Sequence, residues 1–248
     1  EHEVIEVTTF RANLSADPAH QVSGNERTSK KDLMHLNHAV DSTGRLLRDN
    51  VWGTQAEDAT RRDFTINAMY YDPISQIVID YHGGHGDAKK RIIRMIGDPA
   101  SRYREDPVRL IRAVRFYAKL KELKFKLDAA TSKPMIKHMH LLDQVPQSRM
   151  FDEMLKLLQT GHAVHSVHAL QTLGMAKGIY PLLDVVVERA EFPLVAAALA
   201  DTDRRVSEGK PVAPSFLLAC VLWSDVNERW QSHRAKLPPQ PALMAAMD

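Results

Sequence analysis

The chain has 248 residues, 44% of them hydrophobic and 26% charged, with a formal net charge of +2 and a single cysteine. That length admits one large domain or two to three small modules, each with enough apolar residues for a core. The longest apolar stretches, such as "FLLACVLW", are far too short for a bilayer, no signal-peptide pattern opens the chain, and the lone Cys220 can make no internal disulfide, so a reduced, cytoplasmic setting is expected.

In chain order, residues 4–10, "VIEVTTF", read as a strand rich in β-branched residues. Residues 11–45 are polar and aperiodic and read as a long loop. "EDATRRDFTINAMYY", residues 57–71, reads as a helix, "QIVIDY" as a second strand closed by the turn "HGG", "GDAKK" as a short helical or turn piece, and "RIIRMI" as a third strand. "GDPAS" marks a boundary, with Asp98 suited to cap a helix and Pro99 to its first position. From there only helices are predicted. One begins at Asp106-Pro107, and others cover about 129–142, 146–161, 163–174, 191–209 and 214–230. The tail "KLPPQPALMAAMD" reads as a linker or frayed end. Mixed α/β followed by all-α is the expected architecture.

Charge is unevenly spread. Lys89 to Lys137 holds 15 Lys/Arg and 5 Asp/Glu, a balance of +10, and the remainder has a balance of −8. A basic middle between acidic ends fits a polyanion-binding surface, and equally a solvated charged face. Within it, "RYREDPVRLIRAVRF" places Asp106, Arg109 and Arg112 one turn apart along one side of a predicted helix, with Leu110, Ile111, Val114 and Ala118 opposite. An exposed carboxylate beside an arginine fork matches the donor–acceptor pattern of a base edge, and Arg112 and Arg115 can hold phosphate. A helix cap with surface ion pairs accounts for the same residues. In "RRDFTINAMYY", Asp63 and Asn67 share a predicted face, and Arg61 and Arg62 sit at a predicted helix entrance, where cations need an anion nearby. A simple neutralisation of the arginines by Asp63 is the competing account. The "DTD" of Asp201 and Asp203 reads as a decoy for a metal pair, and His162, His165 and His168 as a polar helix face.

"LLRDNVWG", "EDATRRDFTINAMYY", "DYHGG", "RIIRMIGDP" and "RYREDPVRLIRAVRF", in this order and spacing, resemble bacterial poly(A) polymerases. These are close kin of the CCA-adding tRNA nucleotidyltransferases, in the class II nucleotidyltransferases of the DNA polymerase β superfamily. The resemblance covers about residues 4–160 and continues more weakly beyond. It implies an α+β remnant of a nucleotidyltransferase palm or head domain over 1–98, an all-α neck for base recognition over 99–160, and an RNA-binding helical body over 161–248. The family's EDxxR pattern falls on Glu105, Asp106 and Arg109, where the Asp and Arg read the incoming base. Its RRDxxxN pattern falls on Arg61, Arg62, Asp63 and Asn67, which contact ribose and phosphates, with Asp63 counted among the catalytic carboxylates. Arg112 falls where relatives hold the triphosphate. Arg115, Lys119, Lys121 and Lys124 are the expected RNA track.

The reaction implied is AMP addition from ATP to RNA 3′ ends, with Mg²⁺ acting in the complete enzyme. The family's phosphate loop and Asp-x-Asp metal pair lie just upstream of a strand like "VIEVTTF", so no metal ligand is expected in these residues and no polymerisation by them alone. CCA addition to tRNA and a non-catalytic RNA-binding module are the alternatives. Expected partners are RNA 3′ ends and ATP, with no membrane and no disulfide partner.

Overall fold

The computed structural model describes residues 7–12, 38–40, 46–49 and 52–247, the two strands at 38–40 and 46–49 by backbone alone. It divides into two compact units, residues 1–149 and 150–248.

In the first unit, β1 (His38–Val40) pairs antiparallel with β2 (Leu46–Asp49), with a register irregularity between Ala39 and Val40. The expected loop over 11–45 therefore contains a strand, one too short to show alternation; residues 13–37 and 41–45 lie outside the described residues. The strand expected over 4–10 is not present at 7–10. Arg11 makes an isolated bridge to Trp52, and the Gly53 N–H donates to the Phe10 carbonyl at 3.0 Å, while residues 4–6 are outside the description.

The helix expected over 57–71 is three different elements. A capping box of Thr54 and Glu57 starts α1 (Gln55–Arg61), which ends where Arg62 turns extended at φ −65°, ψ 165°. Phe64 then bridges Met95, a 3₁₀ turn spans Thr65–Asn67, and β3 (Met69–Asp72) begins. β3 pairs antiparallel with β4 (Ile77–Asp80), matching Tyr70 with Ile79 and Tyr71 with Val78. Aromatic and β-branched partners across a ladder outweigh the local helical pattern. The Asp80 carboxylate accepts from the His82, Gly84 and His85 N–H groups and so launches α2 (Gly84–Lys90). A Cβ on Gly84 would stand 2.1 Å from the Thr65 carbonyl oxygen, so only glycine lets α2 approach the 3₁₀ turn.

β5 (Ile92–Ile93) follows, and Asp98 caps α3 (Pro99–Glu105) through the Ser101 N–H at 2.8 Å, as expected. The next helix does not begin at Asp106-Pro107. Asp106 ends α3 in an extended conformation (φ −145°, ψ 95°), because the residue before a proline is excluded from helix, and α4 runs Arg109–Lys119. Its Leu110, Ile111, Val114 and Ala118 are buried on the expected side. Helices alone do not make up what comes after. β6 (Lys126–Leu127) pairs in parallel with β5, and two residues carry no readable alternation. The run expected over 129–142 breaks at Pro134 into α5 (Ala129–Ser132), α6 (Met135–His138) and a 3₁₀ turn Met139–Gln144. Phe64, Ile93, Tyr103, Leu110, Met135 and Leu142 are among the large side chains buried in this unit.

The second unit is helical among its described residues. α7 (Gln147–Leu158) leads into it, followed by α8 (Ala163–Thr172), α9 (Pro181–Glu188), α10 (Pro193–Ser207), α11 (Pro214–Arg234) and α12 (Pro239–Met247). α9 is absent from the sequence-based expectation, although Leu183, Val186 and Val187 bury one face at helical spacing; eight residues are short for a periodic signal. The tail is not a frayed linker: α12 packs on α11 and buries Ala242 and Ala246. Cys220 is buried in α11, and burial pushes its thiol pKa up. Asp203 accepts the Ala163 and Val164 N–H groups at 2.6 and 3.1 Å and so caps α8, while Asp201 pairs with Arg204, which gives "DTD" structural work. No described helix is long and apolar enough to cross a membrane.

Candidate nucleotide-binding site

Two short segments of the first unit meet through their charges. The first runs from Asp58 to Asn67. Arg61 and Arg62 stand at the C-terminal end of α1, not at a helix entrance, and there the helix dipole favours cations. Their partner is Asp58, a residue that reading the motif passed over. Its carboxylate accepts from Arg61 Nε at 2.9 Å, Arg62 at 3.1 Å, the Tyr70 hydroxyl at 2.7 Å and the Arg11 N–H at 3.2 Å. Burial alone would raise the Asp58 pKa, but the Tyr70 and Arg61 hydrogen bonds bring it down to about 2. Arg62 also lies over the Tyr70 ring at 5.3 Å. Asn67 does not share a helical face with Asp63. Its side-chain oxygen turns back to accept the Phe64 N–H at 3.1 Å, closing the 3₁₀ turn.

The second segment spans the junction of α3 and α4. Asp63 reaches it directly: its two oxygens accept Arg109 Nε at 3.0 Å and an Arg112 N–H at 3.2 Å. Arg109 also donates to Glu105 at 2.9 Å and to the Arg102 carbonyl at 2.9 Å. The same Glu105 oxygen accepts from Arg102, whose other terminal nitrogen donates to the carbonyls of Arg61 and Arg62 at 2.8 and 2.7 Å. Phe64 stacks at a tilt on Phe116 with centroids 5.1 Å apart, adding apolar contact beneath the ion pairs.

The expected exposed edge of Asp106 and Arg109 is corrected by burial. Arg109 is 5% exposed, and the Asp106 side chain 15%. Asp106 accepts Arg149 at 2.7 Å and the Val108 N–H at 3.3 Å. Burial raises its pKa, and the Arg149 and Arg109 guanidiniums outweigh that and hold it below the usual carboxylate range. It is therefore an ionised acceptor at neutral pH. Arg149 lies 43 residues from Asp106 and no local signal marks it. Arg102 is also unmarked, although it opens the motif that was read.

The expected RNA residues follow along α4 and beyond it. Arg115 is half-buried on α4, Lys119 is exposed at the end of that helix, about 10 Å along the axis from Arg112, and Lys121 and Lys124 occupy the turn before β6. His162, just before α8, and His165 within it are half-buried, and exposed His168 meets the Thr172 hydroxyl at 3.2 Å. Among the described residues no three carboxylate, histidine or cysteine side chains come together to hold a metal. Asp63 has an arginine N–H on each oxygen, so the described residues do not fit a Mg²⁺ clamp.

Two family models match this chain. Residues 1–94 match the "Poly A polymerase head domain", and residues 124–186 match the "Probable RNA and SrmB- binding site of polymerase A". The chain is 38% identical over 231 residues to Poly(A) polymerase I of Haemophilus influenzae, covering 92% of this chain and 47% of that protein. It is 35% identical over 189 residues to the CCA-adding enzyme of Bacillus licheniformis, covering 76% of this chain and 40% of that one. It thus spans about half the length, or less, of these curated relatives. Among solved structures, a tRNA nucleotidyltransferase complexed with a primer tRNA and an incoming ATP analog superposes with a TM-score of 0.51 at 24% identity, over 76% of this chain and 63% of that one. A tRNA-processing enzyme in its apo form I gives 0.52 at 23% identity, over 79% and 53%. These two likenesses establish the fold.

Proposed function

This chain belongs to the poly(A) polymerase family, and from that premise we propose that it is the nucleotide-selecting part of an enzyme that transfers AMP from ATP to RNA 3′ ends. In that reaction the RNA 3′ oxygen bonds to the α-phosphorus as the bond to pyrophosphate breaks. The observation that carries the proposal is the convergence of Asp63, Glu105, Arg109 and Arg112, from two separate segments, in one chain of ion pairs.

A buried arginine held by two carboxylates is preorganised, so a base docking against it meets a donor already oriented. Asp106 offers an ionised acceptor beside Arg109, and together they match the alternating donor and acceptor of an adenine edge. Arg112 is the less buried of the two arginines on Asp63, at 28% exposure, and is the one that an incoming triphosphate recruits. Arg61 and Arg62, anchored by Asp58, supply further positive charge for ribose and phosphate, and Asn67 fixes the turn that presents them. Arg115, Lys119, Lys121 and Lys124 are proposed to follow the RNA backbone. A cytoplasmic setting suits the lone buried thiol of Cys220.

Similarity to CCA-adding enzymes keeps CTP use as the rival outcome. The test is kcat/KM for ATP, CTP, GTP and UTP in the full-length enzyme. ATP preference is expected for the native protein. Arg109→Ala should lose about ten- to a hundredfold of it, with rate. Arg112→Ala should lower the rate with all four nucleotides alike, because a phosphate carries no base identity. Retained ATP preference in folded Arg109→Ala, or CTP use before ATP by the native enzyme, would overturn the proposal.

A further inference from the structure

Arg102 is a buried cation outside the residues assigned to nucleotide contact. Its side chain is 9% exposed, and its Nε has no hydrogen-bond partner. A side chain serving only to fill space would not bring a charge and an unsatisfied N–H into the interior. What the guanidinium does instead is close a ring. It holds the carbonyls of Arg61 and Arg62 at one end and Glu105 at the other. Glu105 holds Arg109, Arg109 holds Asp63, and Asp63 is covalently joined to Arg62. The Arg102 carbonyl adds a further acceptor for Arg109. Two of the three acceptors that orient Arg109 are therefore Arg102 itself or a carboxylate it anchors.

We propose that Arg102 is a positioning residue for nucleotide choice. By tying the backbone of residues 61–62 to Glu105, it sets the angle at which Arg109 meets the base. This rests on the base-reading role proposed for Asp106 and Arg109. Buried beneath those residues, Arg102 touches no substrate. Lysine cannot replace it fully, since one ammonium lacks the planar fork that spans two carbonyls and a carboxylate.

The test uses the full-length enzyme, with Arg102→Gln, Arg102→Lys and Arg109→Ala each assayed for kcat/KM on the four nucleotides, below their measured melting temperatures. Arg102→Gln should lower the ATP-to-CTP ratio about tenfold, with Arg102→Lys between it and the native enzyme. A side chain that only stabilises the fold would lower the melting temperature and leave the ratio unchanged, and that result overturns the inference. So does failure of both Arg102 variants to fold, which would make the residue a structural requirement. If Arg109→Ala shifts the ratio and Arg102→Gln does not, the inference alone falls. If Arg109→Ala itself leaves the ratio unchanged, the base-reading proposal falls and takes the inference with it.

Discussion

Asp58 serves four donors from three stretches of chain, and its pKa of about 2 follows from that company. A carboxylate whose folded pKa lies below its ordinary value stabilises the fold fully above that ordinary value. The stabilisation is lost as the pH falls toward the folded pKa. The contribution is about 2 kcal/mol at neutral pH, draining between about pH 4 and pH 2. Asp58→Asn should lower the urea midpoint at pH 7 and flatten its decline over that window; an unchanged pH profile would show that the four donors are held by other means. Only part of this was legible in the sequence. Asp58 lies three and four residues before Arg61 and Arg62, a spacing that favours ion pairs on a helix. Tyr70 and Arg11 reach it from 12 and 47 residues away, and nothing local announces either. Arg109 shows the same division, since its motif marked it as functional, while its burial came from the packing of α4.

Among the elements, legibility followed capping chemistry more than periodicity. Asp98-Pro99 marked the start of α3 correctly because both residues act locally, as cap acceptor and as preset first turn. Asp106-Pro107 looked alike but ended one helix, because its Asp follows residues already helical and is itself forced extended. The stretch 57–71 misled because alternating pairs in β3 matter only once β4 is present to receive them. Gly84 shows how closely these pieces fit. Gly84→Ala would drive a methyl group into the Thr65 carbonyl and force the 3₁₀ turn away from α2. Overpacking of that kind costs about 1–3 kcal/mol, which should appear as a melting temperature several degrees lower. The neighbouring Gly86, whose added Cβ would meet nothing within 4 Å, is the control and should tolerate alanine with little change.

At the scale of the whole molecule, the basic middle of the sequence divides by depth. Arg102, Arg109 and Arg112 are buried or half-buried against carboxylates, whereas Lys89, Lys90, Lys119 and Lys124 are exposed. Net charge alone gave no sign of that division, since it counts buried and surface cations alike. Neutralising Lys119, Lys121 and Lys124 together in the full-length protein should weaken RNA binding and reduce the slope of log affinity against log salt by about two. An unchanged slope would mean that RNA runs elsewhere. The parallel pair of β5 and β6 has a consequence for anyone recombining this protein with its kin. Asp98 looks like a seam, yet beside the ion pairs of Asp63 the chain is also tied across it: Ile92–Ile93 to Lys126–Leu127, Arg94 to Asp128, the Met95 N–H to the Thr131 hydroxyl, and the Asp128 N–H to the Ile93 carbonyl. A cassette cut at Asp98 would carry a strand without its neighbour and a carboxylate, Asp63, without its two arginines. A transplant of the proposed nucleotide site has to extend at least to Thr131 to travel as a self-sufficient piece, and past Arg149 to keep Asp106 in its pair.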